Sequence, residues 1–316
     1  MRPVKEKLLA RARLLARIRW FFDQRKVMEV CTPVLSQAAG TDPSIAPLRT
    51  RYTGPGYPHG RDLYLQTSPE FPMKRLLAAG SGPIYQIAQV FRDGEYGSRH
   101  NPEFSLLEWY RPGFDHHQLM EEVAELMNHC LEQKLTVEKI AYVDLFRERL
   151  GWDPLEAPLS VMQATARQHD LAADGVSSRD QWLDLFMSLL IEPKLGKDGL
   201  TFIYDYPASQ ASLARINPDN PALASRFELY YRGVELANGF HELTCAAEQR
   251  TRFEQENLRR QRQGLATVPL DENFLAALES GLPDCAGVAL GLDRLLMLKL
   301  NASCLDDVLS FSLKNA

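Results

Sequence analysis

The stretch Ile84–Arg111 constrains the fold more than any other part of this sequence. Two apolar, β-prone runs, IYQIAQVF (84–91) and FSLLEWY (104–110), flank eleven polar or turn-forming residues, RDGEYGSRHNP (92–102). This pattern predicts an antiparallel strand pair joined by a long loop. A loop of that length between paired strands is uncommon unless it has a function.

The loop and the second strand offer complementary charges. Arg92, Arg99 and His100 concentrate positive charge, as a polyphosphate site requires. Glu108 and Tyr110 are two residues apart on the following strand and therefore share a face. Together they outline a site for a nucleotide beside an amine. Taken alone, the pattern also fits a hairpin with a solvated, charged tip.

Two further segments carry candidate carboxylates. Glu70 lies in the first turn of a helix that we expect to start at Pro69 with Thr67 or Ser68 as its cap, where an acid also suits the helix dipole. Strands at 227–231 and 234–236, paired across Arg232-Gly233, would bring Glu228 and Glu235 to one face. Such an acidic pair suggests Mg²⁺ carrying phosphates. The alternative is a pair of exposed hairpin acids.

Composition excludes several protein classes. The 316 residues are 45% hydrophobic and 24% charged, typical of a globular protein, and five scattered cysteines show neither a disulfide framework nor zinc spacing. The N-terminal segment has charges threaded through it, and no run of 18 apolar residues occurs, so we expect a cytoplasmic protein without membrane contact. Residues 1–26 hold nine Lys/Arg against two acids, and the remaining chain is acidic. An acidic body offers no broad footprint for nucleic acid.

The remaining periodicities predict mostly helices. Hydrophobic residues at helical spacing, among them Leu8 and Leu15, predict an amphipathic helix from Lys5 to about Lys26. We further expect a short strand at 27–30 before Pro33, a turn-rich hairpin loop at 49–62, a strand at 63–66, a helix at 115–134, a mostly helical insertion at about 140–200, and a charged helix at 248–263.

Three separated motifs resemble those of the class II aminoacyl-tRNA synthetases, in the form used by the lysyl enzymes. FR with RHNPEF and LLEWY resembles motif 2, the strand leading to Pro33 resembles motif 1, and GVALGLDRLLMLKL resembles motif 3. TSPE and the YP…SLA segment (Tyr206 to Ala214) fall where lysyl-type sequences have related segments. The resemblance covers essentially all of residues 1–316 and implies one α+β catalytic domain, a mainly antiparallel sheet flanked by helices, forming a homodimer.

The resemblance also implies residue roles. Arg92 and Arg294, with Glu235, would act on the reacting phosphates of ATP. Magnesium would bind to Glu228 and Glu235. The other nucleotide contacts implied are Asp93, Gly94, Arg99, His100, Asn101, Phe104, Leu236 and Gly291, with adenine between Phe104 and Arg294. The amino-acid pocket would consist of Ser68, Pro69, Glu70, Glu108, Tyr110, Asn238, Glu242 and Ala289.

Departures from the lysyl pattern narrow the expected activity. The family has the pattern F-R-x-E, whereas in this chain Gly94 occupies the last position and Glu95 comes one residue later. Ala289 stands where the lysyl enzymes usually have glycine, which suggests that the head group of the amino-acid substrate differs. Only about 30 residues precede motif 1, too few for an anticodon-binding barrel. These features are similar to the lysyl-synthetase paralogues that activate (R)-β-lysine and transfer it to a lysine of elongation factor P, without productive tRNA binding.

Other functions remain open from the sequence. They are a minimal enzyme that charges tRNA, a paralogue that adenylates another small molecule, and a regulatory binder without catalysis. A regulatory binder would be expected to lose Arg92, Glu235 or Arg294, and all three are present. The sequence therefore favours the protein ligase over these alternatives.

Overall fold

The structure, a computed structural model, describes residues 3–316, which form nine α-helices and eleven β-strands in two compact units. The first unit spans residues up to 114, 129–131 and from 244 onward. Its elements are α1 (Val4–Asp23), β1 (Met28–Glu29), β2 (Leu35–Ser36), β3 (Arg49–Gly54), β4 (Tyr57–Leu65), α2 (Glu70–Ala78), β5 (Ile84–Phe91), β6 (Glu103–Pro112), α7 (Ala246–Arg262), α8 (Glu272–Gly281), β11 (Cys285–Gly291) and α9 (Leu292–Lys299).

The second unit spans residues 115–128 and 132–243. Its elements are α3 (His116–Leu131, whose last turn belongs to the first unit), β7 (Thr136–Ala141), α4 (Tyr142–Leu150), α5 (Leu159–Gln168), α6 (Arg179–Phe186), β8 (Gly199–Pro207), β9 (Leu223–Tyr231) and β10 (Val234–His241). A single turn of π-helix, Met187–Ile191, extends α6. The predicted helical insertion lies inside this unit, and the single-domain description stays a prediction.

The predicted long-loop strand pair is confirmed. Strands β5 and β6 are antiparallel and β6 pairs on its other side with β11, again antiparallel, while β1 lies parallel to β5. The register puts Phe104, Leu106, Glu108 and Tyr110 of β6 on one face, opposite Gly291, Ala289 and Gly287 of β11. Side chains on β11 are therefore small or absent along this face. Glu108 and Tyr110 are nevertheless each only 2% exposed.

The opposite face of the same strands is covered by α1. Phe22 stacks on Tyr85 at 4.4 Å between ring centroids and meets Trp109 edge-on at 5.4 Å. The helix is as predicted, but its buried stripe is turned by about one residue. Leu8 is half exposed, whereas Lys7 is buried because its ammonium donates to the carbonyl oxygen of Asp306 at 3.0 Å.

Residues 49–62 are part of a hairpin, as predicted, but the prediction that they form its loop was wrong. They form most of the hairpin β3–β4, which joins β2 in a three-stranded sheet ordered β2-β4-β3. Its Arg, Thr and Tyr residues alternate across the strands, while the Gly and Pro residues that suggested a loop fall at the turn and at irregular points. Turn residues outweighed a weak strand pattern in the prediction.

In the second unit, β8, β9 and β10 form an antiparallel meander and β7 adds parallel to β8. Helices α4, α5 and α6 pack on this sheet through a core that includes Phe146, Trp182, Phe186 and Tyr206. The predicted β9–β10 hairpin across Arg232-Gly233 is confirmed. Both turn residues have positive φ, 53° and 67°, as the tightest hairpin turns require.

Gly196 fixes that turn from below. Its carbonyl oxygen accepts from the Arg232 amide at 2.7 Å, and its own φ is +63°. A Cβ at Gly196 would lie 2.6 Å from the carbonyl oxygen of Tyr230, which is immobile strand backbone. Only glycine can therefore support this hairpin here.

We predict that Gly196→Ala lowers the free energy of unfolding by more than about 2 kcal/mol. The strain of a positive φ at alanine and the clash of its Cβ with the Tyr230 backbone both contribute. Gly175→Ala is the matched control, because Gly175 also has positive φ (83°) but a Cβ there meets nothing within 4 Å. Urea denaturation would measure both. Equal losses for the two variants would contradict the clash at Gly196.

Candidate functional site

In the first unit, Glu108 is the centre of a buried hydrogen-bond cluster. Ser68 donates to its Oε2 and Tyr110 to its Oε1, each at 2.6 Å, and Glu108 is 2% exposed. The Ser68 hydroxyl also accepts from the backbone amide of Glu70 at 3.1 Å, so the same serine orders the start of α2, where Pro69 occupies the cap position. The site is thus built between the end of β4 and the middle of β6.

The second carboxylate of this cluster is Glu70. Lys74, one turn further along α2, donates to its Oε1 at 2.6 Å, and the Lys74 side chain is fully buried. Lys74 was not predicted, although its spacing of four residues from Glu70 is the signal for such a pair. One ammonium therefore lies close to two carboxyl groups.

Burial raises the pKa of Glu108 to about 7, and the negative charge of Glu70 adds to the shift; the bonds from Ser68 and Tyr110 and the charge of Lys74 oppose it. In the unfolded chain the same carboxyl titrates near 4.5. The folded state therefore binds more protons between these values, and stability falls as the pH rises through that range. An ammonium placed beside Glu108 would stabilise the ionised carboxylate and so lower this pKa.

The floor of this cluster comes from β11. Ala289 lies directly opposite Glu108 in the register of β6 and β11. Its methyl group packs with Phe104 against Ala88, Val90 and Leu106. The predicted position of Ala289 beside the amino-acid pocket therefore agrees with the sheet register, and its effect on the head group stays a prediction.

The cationic residues of motifs 2 and 3 come together in the first unit. Arg294 donates through Nε to the carbonyl oxygen of Arg99 at 3.2 Å, and its Nη2 lies 2.7 Å from Nε2 of His100. Nε2 must accept, because a guanidinium has only donors. Burial, and next the charge of Arg294, lower the pKa of His100, which keeps the imidazole neutral for this role.

Arg92 lies over the Phe104 ring, with 5.1 Å between its guanidinium carbon and the ring centroid. It also donates to the Thr67 carbonyl oxygen at 3.4 Å and forms an ion pair with Glu95 at 3.4 Å. Glu95, one place later than the family pattern, is therefore a partner of Arg92. Gly94 itself has a φ of +79° and a Cβ there would enter open space.

Other predicted nucleotide residues hold the loop in place. Asp93 pairs with Ala46 through its backbone, and buried Asn101 donates to the carbonyl oxygen of Glu103 at 2.6 Å while accepting from the Leu313 amide at 3.1 Å. Both ends of the Asn101 amide are thus engaged within the protein. Gly291 caps α9, where a Cβ would make only ordinary contacts with Arg294. Nucleotide contacts by these residues stay predictions.

A second network, from the helix-covered face, fixes the start of α9. Arg11 of α1 donates to Asp293 Oδ1 and to Ser105 Oγ, each at 2.5 Å, and the Ser105 amide donates to Asp293 Oδ2 at 2.7 Å. Asp293 directly precedes Arg294 and is 2% exposed. Arg11 therefore helps to set the position of Arg294. The amphipathic pattern gave no reason to single it out among nine basic residues.

In the second unit, Glu228 lies within a dense set of donors. Its oxygens accept from Arg226 at 2.5 Å, Tyr206 at 2.6 Å, Tyr230 at 2.5 Å and Asn238 at 3.3 Å. Burial acts to lower the pKa of Arg226, whose side chain is 17% exposed, but the charge of Glu228 outweighs burial and the pKa is raised overall. Arg226 was missed in the sequence, although it shares a strand face with Glu228.

Glu235 lies on the same face as Glu228, as predicted. Glu235 is opposite Tyr230 and Asn238 is opposite Glu228, and a β-bulge between Glu235 and Ala237 brings Glu235 and Asn238 to one side. Two oxygen-donor carboxylates fit a Mg²⁺ ion that also binds phosphates and water. At Glu228, such an ion would share oxygens already bound to four donors. Among residues 3–316, no cluster of three metal-ligating side chains is present.

Two predicted residues of this unit have little accessible surface. Leu236 is 3% and Glu242 is 1% exposed. The backbone of Glu242 pairs with Ala214, and its carbonyl oxygen accepts from Arg215 at 3.2 Å. A contact of Leu236 with nucleotide would have to use its backbone. The pocket role of Glu242 stays a prediction.

The chain belongs to the class II tRNA synthetase family: the family model for the aspartyl, lysyl and asparaginyl enzymes, tRNA synthetases class II (D, K and N), matches residues 2–315. The predicted class II, α+β fold is therefore confirmed. No helix among residues 3–316 is long and apolar enough to cross a membrane.

Particular members of the family are similar over nearly the whole chain. A protein of Klebsiella pneumoniae (strain 342) is 51% identical over 311 residues, and one of Edwardsiella ictaluri (strain 93-146) is 52% identical over 311 residues; each alignment covers 98% of this chain and 95% of the relative. One of Vibrio vulnificus (strain YJ016) is 52% identical over 308 residues, 97% of this chain and 95% of the relative. All three are named elongation factor P–(R)-β-lysine ligase.

We predict that Arg11→Ala lowers the free energy of unfolding by about 3 kcal/mol, because it leaves the buried Asp293 carboxylate without its cation. Nucleotide affinity, measured by calorimetry, should fall as well, since Arg294 follows Asp293. Arg13→Ala, an exposed arginine on the same helix, is the control. Losses no greater than those of the control would contradict the role given to Arg11.

Proposed function

We propose that this chain is an ATP-dependent ligase that activates (R)-β-lysine, or lysine, as its adenylate and transfers it to a lysine ε-amine of elongation factor P. The observation that carries the proposal is the buried Ser68–Glu108–Tyr110 cluster beside Glu70, an acidic slot on the same sheet face as Phe104. The names of the relatives support the particular substrates. Cytoplasmic location and homodimer formation belong to the proposal.

The amine of the substrate is held by the acidic slot. Glu108 would bind the ammonium with its carboxylate, while the hydroxyls of Ser68 and Tyr110 keep that carboxylate oriented. Glu70 adds a second negative charge beside it. A buried ammonium must be paired in this way because the interior does not solvate it.

The phosphates of ATP are held by the cationic residues. Arg92 and Arg294, with Arg99, would neutralise the charge that develops as a carboxylate oxygen attacks the α-phosphorus and the bond to pyrophosphate breaks. His100 is neutral and would act by positioning Arg294. Mg²⁺, for which Glu235 and Glu228 are the proposed ligands, would supply further charge neutralisation. The attacking carboxylate is already ionised, so this step needs positioning more than base catalysis.

Transfer then forms an amide. The ε-nitrogen of the acceptor lysine attacks the carbonyl carbon of the mixed anhydride, the carbon–oxygen bond to the phosphate breaks, and AMP leaves. The acceptor ammonium loses one proton to solvent before the attack and a second proton after it, which leaves the N–H of the amide. The same arginines that bind the α-phosphate would stabilise the departing AMP, so activation and transfer share one site.

ATP–pyrophosphate exchange with a panel of amino acids, followed by mass measurement on elongation factor P and on tRNA, tests this function. We expect exchange with (R)-β-lysine or lysine and a mass gain of one such residue on the factor alone. Aminoacylated tRNA would instead establish the minimal synthetase. Absence of exchange with every lysine analogue would refute the assignment of the acidic slot.

Arg294→Ala should slow exchange by roughly 10²- to 10³-fold, because it removes a preorganised positive charge from the phosphate site. The unfolding midpoint should stay close to that of the wild type, since Arg294 is partly exposed. Arg262→Ala, at the end of α7, is the control for loss of a surface arginine. A decrease below tenfold would rule out Arg294 as a phosphate ligand.

The acidic slot should make amino-acid binding depend on pH. With a pKa of about 7, Glu108 is mostly protonated at pH 6 and mostly ionised at pH 8, so KM for the amino acid should fall by about tenfold between those values. Glu108→Gln should raise KM and remove this dependence. Tyr204→Phe, in the second unit, serves as a control. A flat profile in the wild type would contradict the role of Glu108.

A further inference from the structure

The hairpin β3–β4 presents an ordered basic and aromatic surface that the proposed chemistry leaves without a role. Its outer part is exposed on both faces, with Arg51 57% exposed in its side chain and Tyr52 and Tyr57 42% and 38% exposed. Arg49 and Arg61 add two more positive charges. Asp62 is the only acid between residues 49 and 65. We call this segment, 49–65, the arginine–tyrosine hairpin.

Local packing holds these side chains in place. Arg51 lies across Gly60, where a Cβ would come within 2.6 Å of its Nε, and donates to the His59 carbonyl oxygen at 2.6 Å and to Asp62 at 2.9 Å. Arg61 stacks on Tyr57 and donates to its hydroxyl at 2.7 Å. Preorganised side chains lose less entropy when a partner binds.

The base of the hairpin is hydrogen-bonded to the start of the loop 92–102, to which we assign phosphate binding. Just before β3, the carbonyl oxygen of Ala46 accepts from the Asp93 amide at 2.8 Å. Just after β4, the carbonyl oxygen of Gln66 accepts from the Phe91 amide at 2.9 Å, and Ser68 follows two residues later. The arginine–tyrosine hairpin therefore rises from the two segments that carry Arg92 and the acidic slot.

Electrostatics indicate which partner fits there. The acceptor is a lysine, whose ammonium is repelled by Arg92, Arg99 and Arg294 as it approaches the α-phosphate. A protein that delivers a cation to a cationic site gains from acidic residues around that lysine, which pair with arginines at the rim. Arg51 and Arg61 belong to the hairpin whose base is bonded to the segment that carries Arg92. Aromatic and arginine side chains are also the types enriched where proteins bind proteins.

We propose that the arginine–tyrosine hairpin docks an acidic surface of the acceptor protein, next to its target lysine. This inference rests on the proposed function and extends it, because it separates recognition of the acceptor from activation of the amino acid. The hairpin acts only in the second half-reaction. Its loss leaves adenylate formation intact.

The test uses the full chain with Arg51→Glu and Arg61→Glu combined. KM for elongation factor P should rise by about tenfold or more, with kcat and ATP–pyrophosphate exchange within about twofold of wild type. The double variant Arg51→Lys, Arg61→Lys, which keeps both charges, should recover most of the affinity. Arg147→Glu, equally exposed at 56% and also bonded to aspartates, is the control.

Salt dependence and tRNA binding give independent results. Raising the ionic strength should weaken acceptor binding in the wild type more than in the charge-reversed variant. An unchanged KM for elongation factor P in the charge-reversed variant would overturn the inference. Loss of tRNA binding in that variant, with modification of the acceptor intact, would also overturn it and would assign the hairpin to RNA binding. If wild-type protein does not modify elongation factor P, the proposed function itself fails, a result distinct from either.

Discussion

Burial of the Glu108 carboxylate beside Glu70 is the constraint on which the rest of the first unit depends. Two acids this close repel each other, and neither is fully hydrated. The fold tolerates them because Ser68, Tyr110 and Lys74 supply two hydroxyl donors and one ammonium. The remaining imbalance favours a cationic ligand. This charge balance is the physical basis of the amine-binding role that we propose for the cluster.

The two faces of the β5–β6–β11 sheet carry different kinds of side chains. One carries the small residues of β11 and the acidic cluster, and the other carries large aromatic side chains packed under α1. Arg11 links the two sides, since it reaches from α1 to the residue that precedes Arg294. A helix that covers the hydrophobic core thus also helps to determine where Arg294 lies.

Much of this arrangement could be predicted from local sequence. Alternating strands, the long charged loop and the Arg232-Gly233 turn each have a short-range signal, and the structure confirms them. Arg11 could not be selected, because only the fold brings its partners Ser105 and Asp293 close. Lys74 and Arg226 pair with acids two to four residues away, so their spacing was a signal that the prediction missed. Burial of a charged residue is decided by its partner, and sequence patterns show partners only when they are near in the chain.

The predicted loop at 49–62 failed for a different reason. A hairpin exposed on both faces has no alternation of apolar and polar residues, so the period that reveals a buried strand is missing. Its strand character depends on cross-strand contacts such as that of Arg51 with Asp62. The sequence gives little information about such surface elements, which are also the ones free to contact other molecules.

The loop 92–102 is held in place by hydrogen bonds from the segment 305–313. The Leu305 amide donates to the carbonyl oxygen of Ser98 at 2.8 Å, and the Leu313 amide donates to Asn101. These contacts join residues about two hundred positions apart. During synthesis on the ribosome, the loop lacks both fasteners until the segment 305–313 has been made and released from the exit tunnel. The loop 92–102 therefore reaches its final form only after this distant segment has folded against it.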